Sequence, residues 1–392
     1  MQGNDKGGLC IGIVGGGIGG LAAAALLADG GHRVTVVERF AVPRPLGSGL
    51  VVQPVGLAVL QMLGAGSAAL SLGAPLRQML GHAGGRVVLD VRYRPDAPGL
   101  AMHRASLFDL LWQAARARDV TFETGAAVTG TAGAILHRQD AADLGPFDLI
   151  VDASGAGSRL SPLTPRVLPF GAVWTSVPWP CDTDLPQDQL TQRYGRADHM
   201  AGVLPIGRLP DDATPRAAVF WSLPLAELER WAEVDFTAWK GRVAAFWPAM
   251  APFLAGLTEA RDMTPARYGH GSLTRPFAPG LAFIGDAAHR ASPQLGQGAN
   301  MALLDALALK LALDQGLQGA LPRYAAMRRW HRGFYQAASA LLTPMYQSHS
   351  RALPLLRDHV LAPIGRAPGI RRVLTALVSG DVLPPLAGQP WP

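Results

Sequence analysis

Residues 15–20 read GGGIGG, directly after the apolar run LCIGIV (9–14) and directly before LAAAALLAD (21–29). This arrangement limits the fold more than any other stretch of the chain. A short apolar run with β-branched residues fits a buried parallel strand, and the alanines and leucines that follow are strong helix formers. Gly30-Gly31 then stops the helix, and RVTVVE (33–38) fits a second strand ending in an acid. Strand, glycine turn, helix and strand form the βαβ unit of a doubly wound sheet. The uncharged stretch 9–28 is also long enough for a bilayer span or a signal segment, but neither accounts for the glycines.

Gly15, Gly17 and Gly20 satisfy G-x-G-x-x-G, and Glu38 follows at the end of the next strand with Arg39 beside it. The first glycine permits the tight turn, the second lets backbone approach a pyrophosphate, and the third lets helix pack on strand. The helix N-terminus offers partial positive charge to the phosphates, and Glu38 is placed to accept hydrogen bonds from a ribose. These residues predict a dinucleotide site.

The rest of the composition removes other classes. The net charge is +6, but only Lys6, Lys240 and Lys310 are lysines, and the arginines are scattered with no basic run. A nucleic-acid face concentrates such charge, so no nucleic-acid partner is expected. Cys10 and Cys181 are the only cysteines, which points to a reducing, cytoplasmic setting and against a disulfide framework. The histidines, His82 and His349 among them, have no metal-ligand spacing, and no Ser-His-Asp or paired-carboxylate constellation stands out. No transmembrane segment is expected, since MALLDALALKLAL (301–313) carries Asp305 and Lys310 and suits a buried helix.

Three further motifs resemble those of the flavin-dependent aromatic hydroxylases, the class A monooxygenases with the p-hydroxybenzoate hydroxylase fold. LAFIGDAAHRASPQLGQGAN (281–300) resembles the family's GD motif. The resemblance implies that Asp286 binds the ribityl chain of FAD and that Gly298, Ala299 and Asn300 lie beside the flavin ring. Backbone N–H groups there would stabilise negative charge on the reduced ring. His289 is read as a structural hydrogen-bonding residue, with a catalytic role as the alternative. MHRASLFDLLWQAA (102–115) opens an amphipathic helix with Arg104, where the family has an FAD-contacting arginine. FETGAAVTG (122–130) resembles the strand passing the adenine, with Val128 contacting it through backbone. DLIVDASGAGSRL (148–160) resembles the DG motif, with Gly155 and Ser158 in register. It departs in having Ala153-Ser154-Gly155 where Ala-Asp-Gly is usual, and Ser161 where an arginine is usual, with Arg159 nearby.

The fold class expected is α/β: a Rossmann-like FAD-binding lobe (1–75, 101–165 and 266–342), a mainly antiparallel β-sheet substrate lobe (76–100 and 166–265), and a C-terminal helical segment (343–392). YQSHSRALPLLRD (346–358) resembles the tail of hydroxylases of the ubiquinone-biosynthesis type. Its apolar spacing leaves packing on the protein, dimerisation and contact with a membrane surface all open. Aromatic residues of the substrate-lobe strands, with one histidine, supply the pocket pool: Trp174, Tyr194, His199, Phe220 and Trp221.

The function implied is a soluble FAD-dependent monooxygenase, monomer or homodimer. NAD(P)H reduces the flavin, O2 forms a C4a-hydroperoxide, and one oxygen atom passes to an aromatic or electron-rich small molecule. A reductase, a Baeyer–Villiger-type oxygenase and a halogenase on the same fold remain alternatives. The halogenase lacks both a well-placed lysine and the Trp-x-Trp-x-x-Pro signature. A non-catalytic flavin-binding protein is the alternative of another class, supported by the altered DG motif.

Overall fold

The computed structural model describes residues 8–42 and 48–391, so Lys6 lies outside the described residues. The opening run folds as the strand Cys10–Val14 and the helix Ile18–Asp29, and the second strand is Arg33–Glu38. Cys10–Val14 sits near the middle of a six-stranded sheet. Its parallel neighbours are Leu149–Asp152 on one side and Arg33–Glu38 on the other, with Thr121–Thr124 beyond the latter. Leu281–Phe283 extends the sheet in parallel past Leu149–Asp152, and only the two-residue edge Phe277–Ala278 runs antiparallel.

The apolar run at 9–28 is thus explained by burial within the protein. Ala22, Ala23, Ala24 and Ala25 are all fully buried, because the helix Ile18–Asp29 is flanked by the helices Gly298–Leu313 and Arg104–Arg116. Small side chains permit that closeness. A Cβ on Gly19 would lie 3.3 Å from the Ala302 Cβ, so larger residues would push the helices apart. Among the described residues, no helix is long and apolar enough to cross a membrane.

The second large sheet has eight strands and is antiparallel throughout except where Gln189–Gly195 meets Gln78–Ala83. Its longest strand, Arg166–Pro178, pairs with Arg216–Pro224 and with Thr264–Ser272. The lobe boundary expected at 266 therefore falls inside Thr264–Ser272, a strand of this sheet. One face carries the helix Phe236–Phe246 and the turns after it, through Trp221, Trp231, Trp239, Trp247 and Phe253. The other face reaches the first lobe, where Leu204, Ile206 and Ala218 pack with Val51, Tyr93 and Ala101.

The stretch 122–130 differs from its reading as one strand. It forms the end of Thr121–Thr124 and the start of Val128–Ala132, because Gly125 adopts φ 86° and turns the chain out of the parallel sheet. Val128–Ala132 instead joins a small antiparallel sheet with Ile135–Arg138 and Ala141–Leu144. Cys10, the first residue of its strand, is only partly buried.

Candidate functional site

The carboxyl ends of the parallel strands open into a cleft of about 420 Å³, the place where doubly wound sheets bind ligands. Gly15, Gly17, Glu38, Arg39, Arg104, Gly155, Asp286, Gly298 and Ala299 all line it, although they come from six separate segments of sequence.

Two helices point their N-termini into this cleft without side-chain caps. Ile18–Asp29 is capped by Gly17 and Gly298–Leu313 by Gln297, and neither has an acid in its first turn. Their first N–H groups have no intrahelical partners, so the cleft wall presents two sets of donors to an anion. Gly15 makes the entry turn at φ 100°. A Cβ on Gly20 would lie 1.9 Å from the Gly15 carbonyl oxygen, whereas a Cβ on Gly17, Gly155 or Gly298 would meet nothing within 4 Å. Gly20 is therefore a packing position, and the other three border open space that a bound molecule can fill. That open, donor-rich space fits a dinucleotide pyrophosphate.

Glu38 is buried, and its carboxylate is already oriented. The Gly16 N–H donates to one oxygen at 2.8 Å and the Phe40 N–H to the other at 3.0 Å. Each oxygen keeps acceptor capacity for a ligand hydroxyl. Across the cleft, partial desolvation lowers the Arg104 guanidinium while the Asp286 carboxylate opposes that shift. Arg104 and Asp286 both still reach solvent at the cleft surface.

The altered DG turn is held by a carboxylate two residues earlier than the motif would place it. Asp152 is fully buried at the end of its strand. One oxygen accepts from the Ser154 N–H at 3.0 Å and from the Ser154 hydroxyl at 2.5 Å, and the other accepts from the Ser158 hydroxyl at 2.5 Å. The Ser161 hydroxyl, at the usual arginine position, donates to the Ala287 carbonyl in the loop that carries Asp286. Arg159 stays exposed.

Beneath Asp286 lies a buried network. Asp305 accepts from the Gly285 N–H at 3.0 Å and the Arg328 Nε at 2.7 Å, and its second contact is His289 Nε2 at 2.6 Å. Burial alone would raise the Asp305 carboxyl, but His289 and Arg328 outweigh it and hold the group below the carboxylate range. His289 is thus buried against Asp305 and does not line the cleft. Asp152 and Asp305 belong to none of the sequence motifs' expected ligand positions. The signal available for each was an acid inside an otherwise apolar element.

Asn300 and Val128 also lie off the cleft wall. The Asn300 side chain accepts from the Gln53 N–H at 2.8 Å and donates to the carbonyls of Val51 and Gly296. It ties the loop before the helix Gly298–Leu313 to the strand Gly49–Val52 and the residue after it. Val128 packs with Val14, Val37 and Phe147. The pocket pool divides by strand alternation. Trp174 and Phe220 pair on the first-lobe side with ring centroids 4.6 Å apart, and Tyr194 packs near Phe220. Trp221, one residue on, points into the outer helical layer, and His199 stands edge-on to it.

Comparison with known proteins agrees with this geometry. The model of the FAD binding domain family matches residues 9–142 and 176–329. The 6-methylpretetramide 4-monooxygenase of Streptomyces rimosus is 30% identical over 94% of this chain and 92% of its own length. The probable 2-heptyl-3-hydroxy-4(1H)-quinolone synthase of Rhodococcus erythropolis is 27% identical over 91% and 92%. Among solved structures, Klebsiella pneumoniae HpxO, complexed with FAD and uric acid, superposes with a TM-score of 0.79 at 20% identity, covering 96% of this chain and 98% of that one. The chain belongs to the family of FAD-dependent aromatic monooxygenases, and its cofactor is FAD.

Proposed function

We propose that the protein is an NAD(P)H-dependent hydroxylase that inserts one oxygen atom from O2 into an aromatic or electron-rich small molecule. The observation that carries this reading is the pair of uncapped helix N-termini opening on one cleft. The first suits a pyrophosphate, and the second suits a ring that gains negative charge on reduction. Bound FAD supplies the hydride acceptor and the site of oxygen activation.

The chain's own residues bind, orient and exclude water. Glu38 fixes a ribose through the two oxygens that Gly16 and Phe40 hold in place, with Arg39 alongside. Asp286, carried on the loop pinned by Asp305, takes the ribityl hydroxyls, and Arg104 faces it as the counter-charge. The N–H groups of Gly298 and Ala299 stand at the inner end of the cleft. Trp174 and Phe220, on the inward face of the large sheet, cover the substrate and keep water from the reacting oxygen. In this reading residues 1–75, 101–165 and 266–342 carry the cofactor and 76–100 and 166–265 the substrate, except that the whole strand Thr264–Ser272 belongs to the substrate sheet. The name of the Streptomyces rimosus relative denotes a monooxygenation, which agrees with this chemistry.

The halogenase alternative is disfavoured by a specific observation. The Lys240 ammonium donates to the Leu257 carbonyl at 2.7 Å, and Lys310 pairs with Asp314 at 2.6 Å, both away from the cleft. The two free cysteines fit a cytoplasmic protein, acting as a monomer or homodimer.

The test is NAD(P)H oxidation by the purified holoprotein across a panel of phenols and other electron-rich aromatics. At least one compound is expected to accelerate it, with matching oxygen uptake. A flavin that neither NADH nor NADPH reduces, with or without those compounds, would refute the reading.

A further inference from the structure

Among the described residues, seven of the fourteen exposed large hydrophobic side chains lie between Leu355 and Val373. That concentration in nineteen residues is unlike single scattered surface leucines, which need no explanation. The most exposed are Leu355 at 59%, Val373 at 56% and Ile364 at 51%.

The segment bearing them is firmly attached from beneath. Its elements are the helix Ala352–Leu356, a π-helical turn Arg357–Leu361, the helix Ala362–Gly365 and the helix Pro368–Ser379. The Arg357 Nη1 donates to the Met345 carbonyl at 2.9 Å, and Arg366 donates to the Val87 carbonyl at 3.1 Å. The Thr375 hydroxyl donates to the Arg92 carbonyl at 2.7 Å, and the Gln297 amide to the Val378 carbonyl at 2.7 Å. Leu374 and Val378 take the inward apolar side of the last helix, while Ile370, at the outer end of that stripe, and Val373 beside it stay exposed among the described residues.

Charge decides what fits that side. Between residues 351 and 380 the chain has Arg351, Arg357, Arg366, Arg371 and Arg372 but a single acid, Asp358. Asp358 is already hydrogen-bonded to the buried Arg357 at 2.6 Å. Arg351, Arg366 and Arg372 are exposed and form no ion pair among the described residues. A two-fold contact between copies of this face would bring together more arginines than acids, since Asp358 is engaged by Arg357 and Asp90 lies beside Arg371. An anionic lipid surface supplies phosphates for the arginines and an acyl boundary for the aliphatic side chains.

We propose that this C-terminal face docks the enzyme peripherally on an anionic phospholipid bilayer. The exposed leucine, isoleucine and valine side chains enter the headgroup–acyl boundary, and Arg351, Arg366 and Arg372 contact lipid phosphates. The proposal stands apart from the hydroxylase reading, because binding is read without turnover.

The test is co-sedimentation of the FAD-loaded full chain with phosphatidylcholine vesicles, with and without phosphatidylglycerol. Binding to the anionic vesicles is expected to exceed binding to the neutral ones by about tenfold or more and to weaken as salt rises. The double variant Ile364→Asp/Val373→Asp is expected to lower it about tenfold, and Arg351→Ala/Arg372→Ala to remove the preference for phosphatidylglycerol. All four side chains are solvent-facing, so flavin content and circular dichroism should be unchanged and serve as the folding control. Absence of vesicle binding by the native chain would overturn the proposal. So would sedimentation as a dimer that Ile364→Asp turns into a monomer, with no vesicle binding in either form.

Discussion

Replacing Asp305 with alanine is expected to cost about 3–5 kcal/mol of folding stability, the range for breaking a buried ion pair from one side. Asp305 and Arg328 are both fully buried, so the variant leaves the guanidinium with its Pro385 carbonyl contact but no counter-charge. Adding Arg328→Met should recover part of the loss, since it removes the stranded charge. Chemical denaturation of the two variants measures both effects. The same network sets an acid limit. His331, which donates from Nε2 to the Gly380 carbonyl at 2.8 Å, is pushed down to about 3 by burial and by the Arg328 guanidinium. Asp305 is also held below its ordinary value. Both groups thus bind protons more readily when unfolded, so stability rises with pH through their titration range. It is full above about pH 6.5, falls below that as unfolded His331 takes up its proton, and falls more steeply below about pH 4, where unfolded Asp305 does the same.

The second large effect is expected at Gly17. This residue is the N-cap of the helix Ile18–Asp29, with extended backbone at φ -84° and no neighbour within 4 Å of an added Cβ. Aspartate is a favoured N-cap, differing from glycine by only a few tenths of a kcal/mol. Gly17→Asp should therefore fold with unchanged stability. Its carboxylate would occupy the phosphate side of the cleft, and FAD affinity is expected to fall about a hundredfold or more, which is ~2.7 kcal/mol. Fluorescence titration of the apoprotein reads the affinity, and thermal unfolding of the apoprotein reads the stability. A variant that kept its FAD affinity would move the pyrophosphate elsewhere.

Much of the first lobe was legible because its constraints are local. The strand at 9–14, the helix after it and the strand at 33–38 follow from burial, propensity and one glycine turn, and they fold as Cys10–Val14, Ile18–Asp29 and Arg33–Glu38. The strands Gln78–Ala83 and Arg86–Arg92 likewise pair around a local turn at Gly84-Gly85. The break at Gly125 was not legible, because a glycine inside a β-rich stretch fits either a continuous strand or a turn until its φ is known.

The cleft itself depends on pairings across long separations. The Ser161 hydroxyl reaches the Ala287 carbonyl, and the Gln53 N–H reaches the Asn300 side chain, each more than a hundred residues away. No sequence period predicts such contacts. Nor does an aromatic residue announce its face. Phe220 and Trp221 are neighbours in sequence, yet one packs with Tyr194, Met200 and Tyr346 and the other with the outer helices, which follows from alternation only once the strand register is known.

The central claim is that this cleft transfers oxygen from O2 to substrate, and isotope labelling tests it most directly. With 18O2, NAD(P)H and a compound that stimulates NAD(P)H oxidation, mass spectrometry of the product should show one added 18O atom for each NAD(P)H consumed. Product without 18O, or NAD(P)H consumed with all of the oxygen recovered as hydrogen peroxide across the stimulating compounds, would contradict it.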